Sequence, residues 1–247
     1  MKLLTVGNSF SQDPHAYLHD LALSCGVELD VYNLFIGGCP LRVHAAHLKD
    51  GEAAYSLEIN GKTVRPISIP EAIAMEKWDA ITTQQASGKS GDYASYQPYL
   101  DELIAAFRAA CPEAKLYFQK TWAYETDSDH KDFPRYGNDQ HRMYGMITEA
   151  CGAASAETGL PLIPTGDVIQ YLRGRVAAFD YANGGMSLNR DGYHLSLTYG
   201  RLAAAATWLA FFTDADLKKA TFRPEGCDDE DLVRAVFAAA EKFARRK

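Results

Sequence analysis

The sequence predicts an α/β fold: a three-layer α/β/α sandwich with a five-stranded parallel sheet in the flavodoxin-like order 2-1-3-4-5 and a small β-hairpin excursion. Three observations predict it. Short apolar β runs alternate with segments of helical period along the chain. The first forty residues read as strand, helix, strand, which implies parallel strands and a right-handed crossover. The chain has 247 residues, 47% hydrophobic and 23% charged, which fits one large α/β domain with a substantial core.

The elements follow in order. Residues 2–6 form an apolar strand that breaks at Gly7, followed by Asn8, Ser9 and a short polar turn. Asp13 reads as an N-cap and Pro14 as a first helical residue. Tyr17, Leu18, Leu21, Ala22 and Cys25 then recur at helical spacing, and Gly26 ends the helix. Residues 27–35 read as the second strand, stopped by Gly37 and Gly38. Residues 40–78 depart from simple alternation. There, residues 55–59, Asn60-Gly61 and residues 62–67 give a hairpin signal, because Asn-Gly is the preferred two-residue turn. A short helix over 70–77 and a third core strand over 78–83 come next, then Gln84-Gln85-Ala86-Ser87-Gly88.

Residues 96–110 put Leu100, Leu103, Ile104 and Phe107 on one helix face. The fourth strand spans 115–119, and the loop over 121–139 has the length of a binding loop or lid. A helix over 140–158 ending at Gly159, a short strand over 161–163, a helix over 167–174, a Gly-rich loop over 181–191 and an apolar helix over 195–212 complete a domain spanning 1–213, with the hairpin inserted at about 53–69. Residues 214–247 form a helical extension packed on the same domain, its last helix running over 229–247.

The formal charge of −7 argues against a protein that tracks nucleic-acid phosphates or docks by charge on an anionic membrane. No apolar run approaches the roughly 20 residues of a membrane span, and only Lys2 precedes the first strand, so no signal peptide is expected and the expected location is cytoplasmic. The five cysteines, Cys25, Cys39, Cys111, Cys151 and Cys227, are scattered and odd in number, as expected of reduced thiols. Cys39 follows two glycines in a site loop, and a small buried hydrophobe explains it better than reactivity does.

A serine at the carboxyl end of the first strand sits where open α/β sheets bind ligands. A serine hydroxyl needs a base, usually a histidine held by a carboxylate. Asp191-Gly192-Tyr193-His194 supplies one compact candidate, with Gly185 and Gly192 giving its loop freedom to reach the sheet rim. Ser9 is therefore expected as nucleophile, His194 as base and Asp191 as its orienting carboxylate. The oxyanion donors expected are the amides of Ser9 and Gly38, with a side-chain amide from the end of the third strand. Gln84 and Gln85 compete for that role, and alternation favours Gln85. Asn8, Gly37, His44, Trp122 and Tyr124 are expected to contact substrate. No metal and no cofactor are called for.

At these residues the chain resembles the SGNH (GDSL-type) hydrolases, a superfamily of esterases, lipases and carbohydrate deacetylases. The family's Gly-Asp-Ser block appears as Gly7-Asn8-Ser9-Phe10, its second-block glycine as Gly38, and its Asp-x-x-His block as Asp191-Gly192-Tyr193-His194. The match spans about residues 2–212. The third block, Gly-x-Asn-Asp, is absent. Gln85-Ala86-Ser87-Gly88 stands there and looks more like the Gln-Gly-Glu-Ser of the carbohydrate acetylesterase branch. The pattern, with Thr121-Trp122-Ala123-Tyr124, looks most like an uncharacterised bacterial branch. The resemblance implies serine hydrolysis of a small or carbohydrate ester; it names no substrate.

Rival readings are weaker. A non-catalytic carbohydrate- or ligand-binding domain on the same fold is motivated by the missing third-block Asn. A flavodoxin-like nucleotide binder lacks the glycines and hydroxyls that wrap a phosphate. Ser11 fits the turn better than it fits the nucleophile. His15 and His19 have metal-ligand spacing without a third ligand, so both are expected at the surface. A homo-oligomer is compatible with the sequence and not indicated by it.

Overall fold

The strand β1 (Lys2–Gly7) lies at the centre of the sheet in the computed structural model, which describes residues 1–245. It is followed by α1 (Ser9–Ser24), β2 (Asp30–Phe35), α2 (Leu41–Asp50), β3 (Tyr55–Ile59), β4 (Lys62–Ile67), α3 (Ile69–Met75) and β5 (Ala80–Thr83). Then come α4 (Tyr99–Ala110), β6 (Lys115–Gln119), α5 (Gln140–Thr158), β7 (Leu162–Ile163), α6 (Thr165–Arg175), α7 (Tyr199–Phe212) and α8 (Glu230–Ala244). No helix among the described residues is long and apolar enough to cross a membrane.

The sheet has seven strands in the order β4-β3-β2-β1-β5-β6-β7. This corrects the five-stranded parallel sheet expected from the sequence. The parallel strands run β2-β1-β5-β6-β7, and the hairpin β3-β4, expected at the sheet's edge or rim, adds two strands to the sheet beyond β2. It extends the sheet antiparallel to β2, pairing Asn33 with Glu58 and Leu34 with Leu57. The extension holds because Glu58 is buried: its carboxylate accepts from Gln12 on α1 and from Asn33 on β2, so the edge hairpin is bonded into the interior. Asn60 and Gly61 both have positive φ, the geometry of a two-residue hairpin turn.

The strand order reverses at β1. The chain leaves β1 toward β2 through α1 and leaves β5 toward β6 through α4. Right-handed crossovers in opposite directions put α1 and α4 on opposite faces. On the α1 face, α7 packs against α1, and α6 and α8 pack against α7. The run Ala203-Ala204-Ala205-Ala206 on α7 is fully buried, and such small side chains permit the close approach to α1. α8 buries Val233, Val236, Phe237 and Ala240, its N-terminus capped by Asp229. α2, α3 and α4 pack together on the other face. The reversal falls at the carboxyl ends of β1 and β5, the position where open α/β sheets place their ligands.

Three elements differ from expectation. α1 begins at Ser9, five residues before the expected start, because Asn8 accepts from the Phe10 amide and caps the helix. Pro14 therefore lies inside α1. The proline leaves the Phe10 carbonyl without its helical donor, and the Gln119 side-chain amide from β6 donates to it at 3.1 Å. The helix α2 was not expected. Leu41, His44, Ala45 and Leu48 do have helical spacing, but the N-cap is Pro40, which offers no capping side chain. Gln85 from the end of β5 accepts from the Leu41 amide instead. α7 starts at Tyr199 instead of residue 195, because residues 189–195 are folded back on themselves as a bridge. The expected last helix is present to Ala244; its expected residues 246–247 lie outside the described residues.

Candidate functional site

The turn from β1 into α1 is built from consecutive residues. Gly7 is needed because a Cβ there would collide with the Ser11 hydroxyl and press on Gln84 Nε2. Asn8 is buried, and its side chain makes three bonds. Its Oδ1 accepts from Phe10 N and from Gln84 Nε2, both at 3.0 Å, and its Nδ2 donates to the Cys39 carbonyl at 3.0 Å. Ser9, the first residue of α1, is half-buried, and its hydroxyl makes no hydrogen bond within the described residues. Its amide belongs to the first helical turn, where N–H groups lack helical acceptors and the helix dipole favours negative charge.

The bond from Asn8 to Cys39 draws the turn at residues 36–39 beside Ser9. Cys39 N donates to Ile36 O at 3.3 Å, closing that turn. Gly37 and Gly38 are its exposed tip, and Gly38 adopts φ +62°, which disfavours any other residue. Of the two glutamines, the structure selects against Gln85. Its Oε1 accepts from Leu41 N and Ala86 N, and its Nε2 donates to Ser95, so both ends of the amide are committed to the α2 side. Gln84 points to the nucleophile turn and supports it through Asn8.

The second half of the site is the loop before α7. Asp191 Oδ2 lies 2.7 Å from His194 Nδ1, and Asp191 Oδ1 accepts from the amides of His194 and Tyr193. Burial pushes the Asp191 pKa up, but the bonds from the His194 ring and backbone outweigh it and hold the carboxyl below its ordinary value. With Nδ1 committed to Asp191, Nε2 is the free ring nitrogen of His194.

Distant residues aim this loop at α1. Trp122 donates from Nε1 to the Tyr193 carbonyl at 2.7 Å and stacks flat on Phe10, the neighbour of Ser9, at 4.1 Å between ring centroids. The His194 ring lies 6.1 Å from the Phe10 ring. Glu125 N donates to Gly192 O at 2.7 Å, and Asp13 accepts from Leu195 N at 2.8 Å. Residues 192, 193 and 195 are thus each fixed, with His194 among them and its ring near that of Phe10.

Several expected contacts to substrate are overturned by burial. Trp122 and Tyr124 are fully buried: the first is the support just described, and the second bonds to the Ser87 hydroxyl at 2.9 Å. Asn8 is a structural hub. His44 is enclosed between Cys39 and Tyr55, bonded to the Tyr55 hydroxyl at 2.7 Å, and burial pushes its pKa down to about 3. Only Gly37, at the exposed tip, remains free to meet a ligand. The first residues of the loop over 121–139 clamp the His194 loop. Cys39 is buried and its thiol is pushed up to about 12, as a small hydrophobe would be. All five cysteines are free. His15, expected at the surface, is buried between Thr5 and Trp208, with its pKa pushed down to about 3 by desolvation.

Sequence reasoning missed Asp13, Glu125, Arg173, Arg190 and Arg201. Glu125 is buried against Arg173, Gln140 and Ser187, and Arg173 in turn donates to Ala123 O and to Asn189. Asp13, Glu125 and Arg190 stand among polar neighbours in the sequence, so nothing local sets them apart from surface charges. His47, Asp50 and Glu52 form one group of metal-ligand type at the end of α2, with both carboxylates exposed, and none of the three bonds to the Ser9, Asp191 or His194 side chains.

The family model DUF4886, a domain of unknown function, matches residues 2–241. No curated protein matches the chain. Among solved structures, a DUF4886 family protein from Bacteroides uniformis is 37% identical with a TM-score of 0.89, covering 98% of this chain and 93% of that one. A protein from Slackia heliotrinireducens assigned to the SGNH hydrolases is 22% identical with a TM-score of 0.55, covering 83% of this chain and 95% of that one. A mutant of an acetyl-xylooligosaccharide esterase from Geobacillus is 12% identical with a TM-score of 0.52, covering 90% and 94%. These last two likenesses show a shared fold.

Proposed function

The chain belongs to the DUF4886 family, and within that family we propose that it is a serine hydrolase cleaving a small acyl ester through Ser9, His194 and Asp191. One observation carries the reading. Asp191 and His194 lie 2.7 Å apart, and the imidazole is 6.1 Å from the ring of Phe10, the neighbour of a half-buried Ser9 whose hydroxyl has no hydrogen-bond partner among the described residues.

Ser9 Oγ attacks the acyl carbon while its proton passes to His194 Nε2. Asp191 holds the Nδ1 proton, fixes the ring's orientation and stabilises the imidazolium that forms. Negative charge on the acyl oxygen meets the amides of Ser9 and Gly38. His194 then protonates the leaving alkoxide as the acyl carbon–oxygen bond breaks. Water, deprotonated by His194, attacks the acyl-enzyme and releases the acid and Ser9. Gln84 acts on this site only by holding Asn8. An acetylated carbohydrate is the substrate class the resemblance and the shared fold recommend testing first.

Ser9→Ala, assayed on p-nitrophenyl acetate and an acetylated xylose, is expected to lower kcat by at least about a thousand-fold while melting like the wild type. Full activity in that variant would remove the proposal.

A further inference from the structure

Asp13 is a fully buried carboxylate on α1, four residues after Ser9, a rigid rise of about 6 Å along the helix. The reaction proposed above does not use it. Its Oδ2 accepts from Leu195 N at 2.8 Å, and its Oδ1 accepts from Arg190 Nη1 at 3.0 Å and Arg201 Nε at 2.8 Å. Arg190 precedes Asp191 by one residue, and Leu195 follows His194 by one. Arg190 also donates from its guanidinium to the Leu195 carbonyl and from its amide to the His194 carbonyl. Both polar backbone groups of Leu195 are therefore held from a single point on α1. Arg201 fixes the same carboxylate to α7.

A buried carboxylate with one arginine would be an ordinary ion pair. This one brackets the four residues that carry the proposed base, from the helix that carries the proposed nucleophile. We infer that Asp13 is the positioning residue for His194: it sets the reach of the imidazole to Ser9 by tying residues 190 and 195 to α1. The inference rests on the serine-hydrolase reading for its kinetic consequence, but the placement of the ring can be read without it. Displacing a reacting group by about 1 Å can cost on the order of a hundred-fold in rate.

The test compares Asp13→Asn with Asp167→Asn in the full-length protein. Asp167 is also partly buried and bonded to a cation, Lys120 at 2.6 Å, but its partners lie outside the His194 loop. Asp13→Asn is expected to lower kcat on p-nitrophenyl acetate by about a hundred-fold with KM within about two-fold, and to displace the His194 ring signals in the NMR spectrum. Asp167→Asn is expected to lower the melting temperature and leave both unchanged. Wild-type kcat and ring signals in folded Asp13→Asn would overturn the inference, as would a rise in KM alone. Where Asp13→Asn does not fold, Arg190→Gln removes one arm at a partly exposed side chain. It is expected to show the same pattern at about ten-fold, and its absence overturns the inference equally. A wild-type protein that hydrolyses no ester defeats the hydrolase reading, and the ring signals then decide the positioning role alone.

Discussion

The two halves of the candidate site are built in opposite ways. The nucleophile turn is local: β1 pairs on both sides, α1 follows at once, and Asn8 supplies the cap from within the turn. The His194 loop has almost no regular structure of its own. It has a single bridge between Asn189 and Leu195 and is held by Asp13, Trp122 and Glu125, residues some 60 to 180 positions away. The first half is held by strand pairing and by the Asn8 cap, the second by anchors distant in the chain. Substitutions should therefore act differently on the two halves, costing stability in the turn and rate in the loop.

The largest expected effect is in the loop. Asp191→Asn keeps the shape but loses the charge that orients His194, and should lower kcat by about a thousand-fold or more with little change in melting temperature, as steady-state kinetics and calorimetry will show. The turn gives the converse. Asn8→Ala removes a cap and two further buried bonds and should destabilise the protein by about 3 kcal/mol in urea denaturation.

A third expectation concerns the core behind the turn. His15 and His44 are buried and neutral, their pKa values pushed from 6.5 to about 3. The unfolded chain binds protons that the folded one refuses between those values. Stability should be nearly complete above about pH 6.5 and fall as pH drops toward 3, by about 3 kcal/mol per imidazole at pH 4.5. Urea midpoints at pH 7 and 4.5 will measure it, and His15→Gln should blunt the fall. The smallest effect sharpens the comparison most. Trp122→Phe keeps the packing on Phe10 but loses the bond to Tyr193 O, and should lower kcat about ten-fold.

What could be read from the sequence follows the same division. The β1–α1 turn, Ser9, the Asn60-Gly61 hairpin and the Asp191–His194 pair all rest on neighbours in the chain, so spacing exposes them. The choice between Gln84 and Gln85 went wrong because Gln85 serves the N-terminus of α2, a helix whose proline cap gives no signal. Trp122 and Tyr124 read as substrate contacts because nothing in their own segment reveals that Phe10 and Ser87 are their partners. Asp13 looked like a helix cap because aspartate before proline usually is one; its partners lie 177 to 188 residues on.

The central claim is that the Ser9 hydroxyl is activated by His194. A fluorophosphonate probe, with the adduct mapped by mass spectrometry, tests it most directly. The account predicts one adduct, on Ser9, that disappears in Ser9→Ala and is formed at least about a hundred-fold more slowly in His194→Gln. An unlabelled Ser9 in the folded wild-type protein, or labelling indifferent to His194, would contradict it.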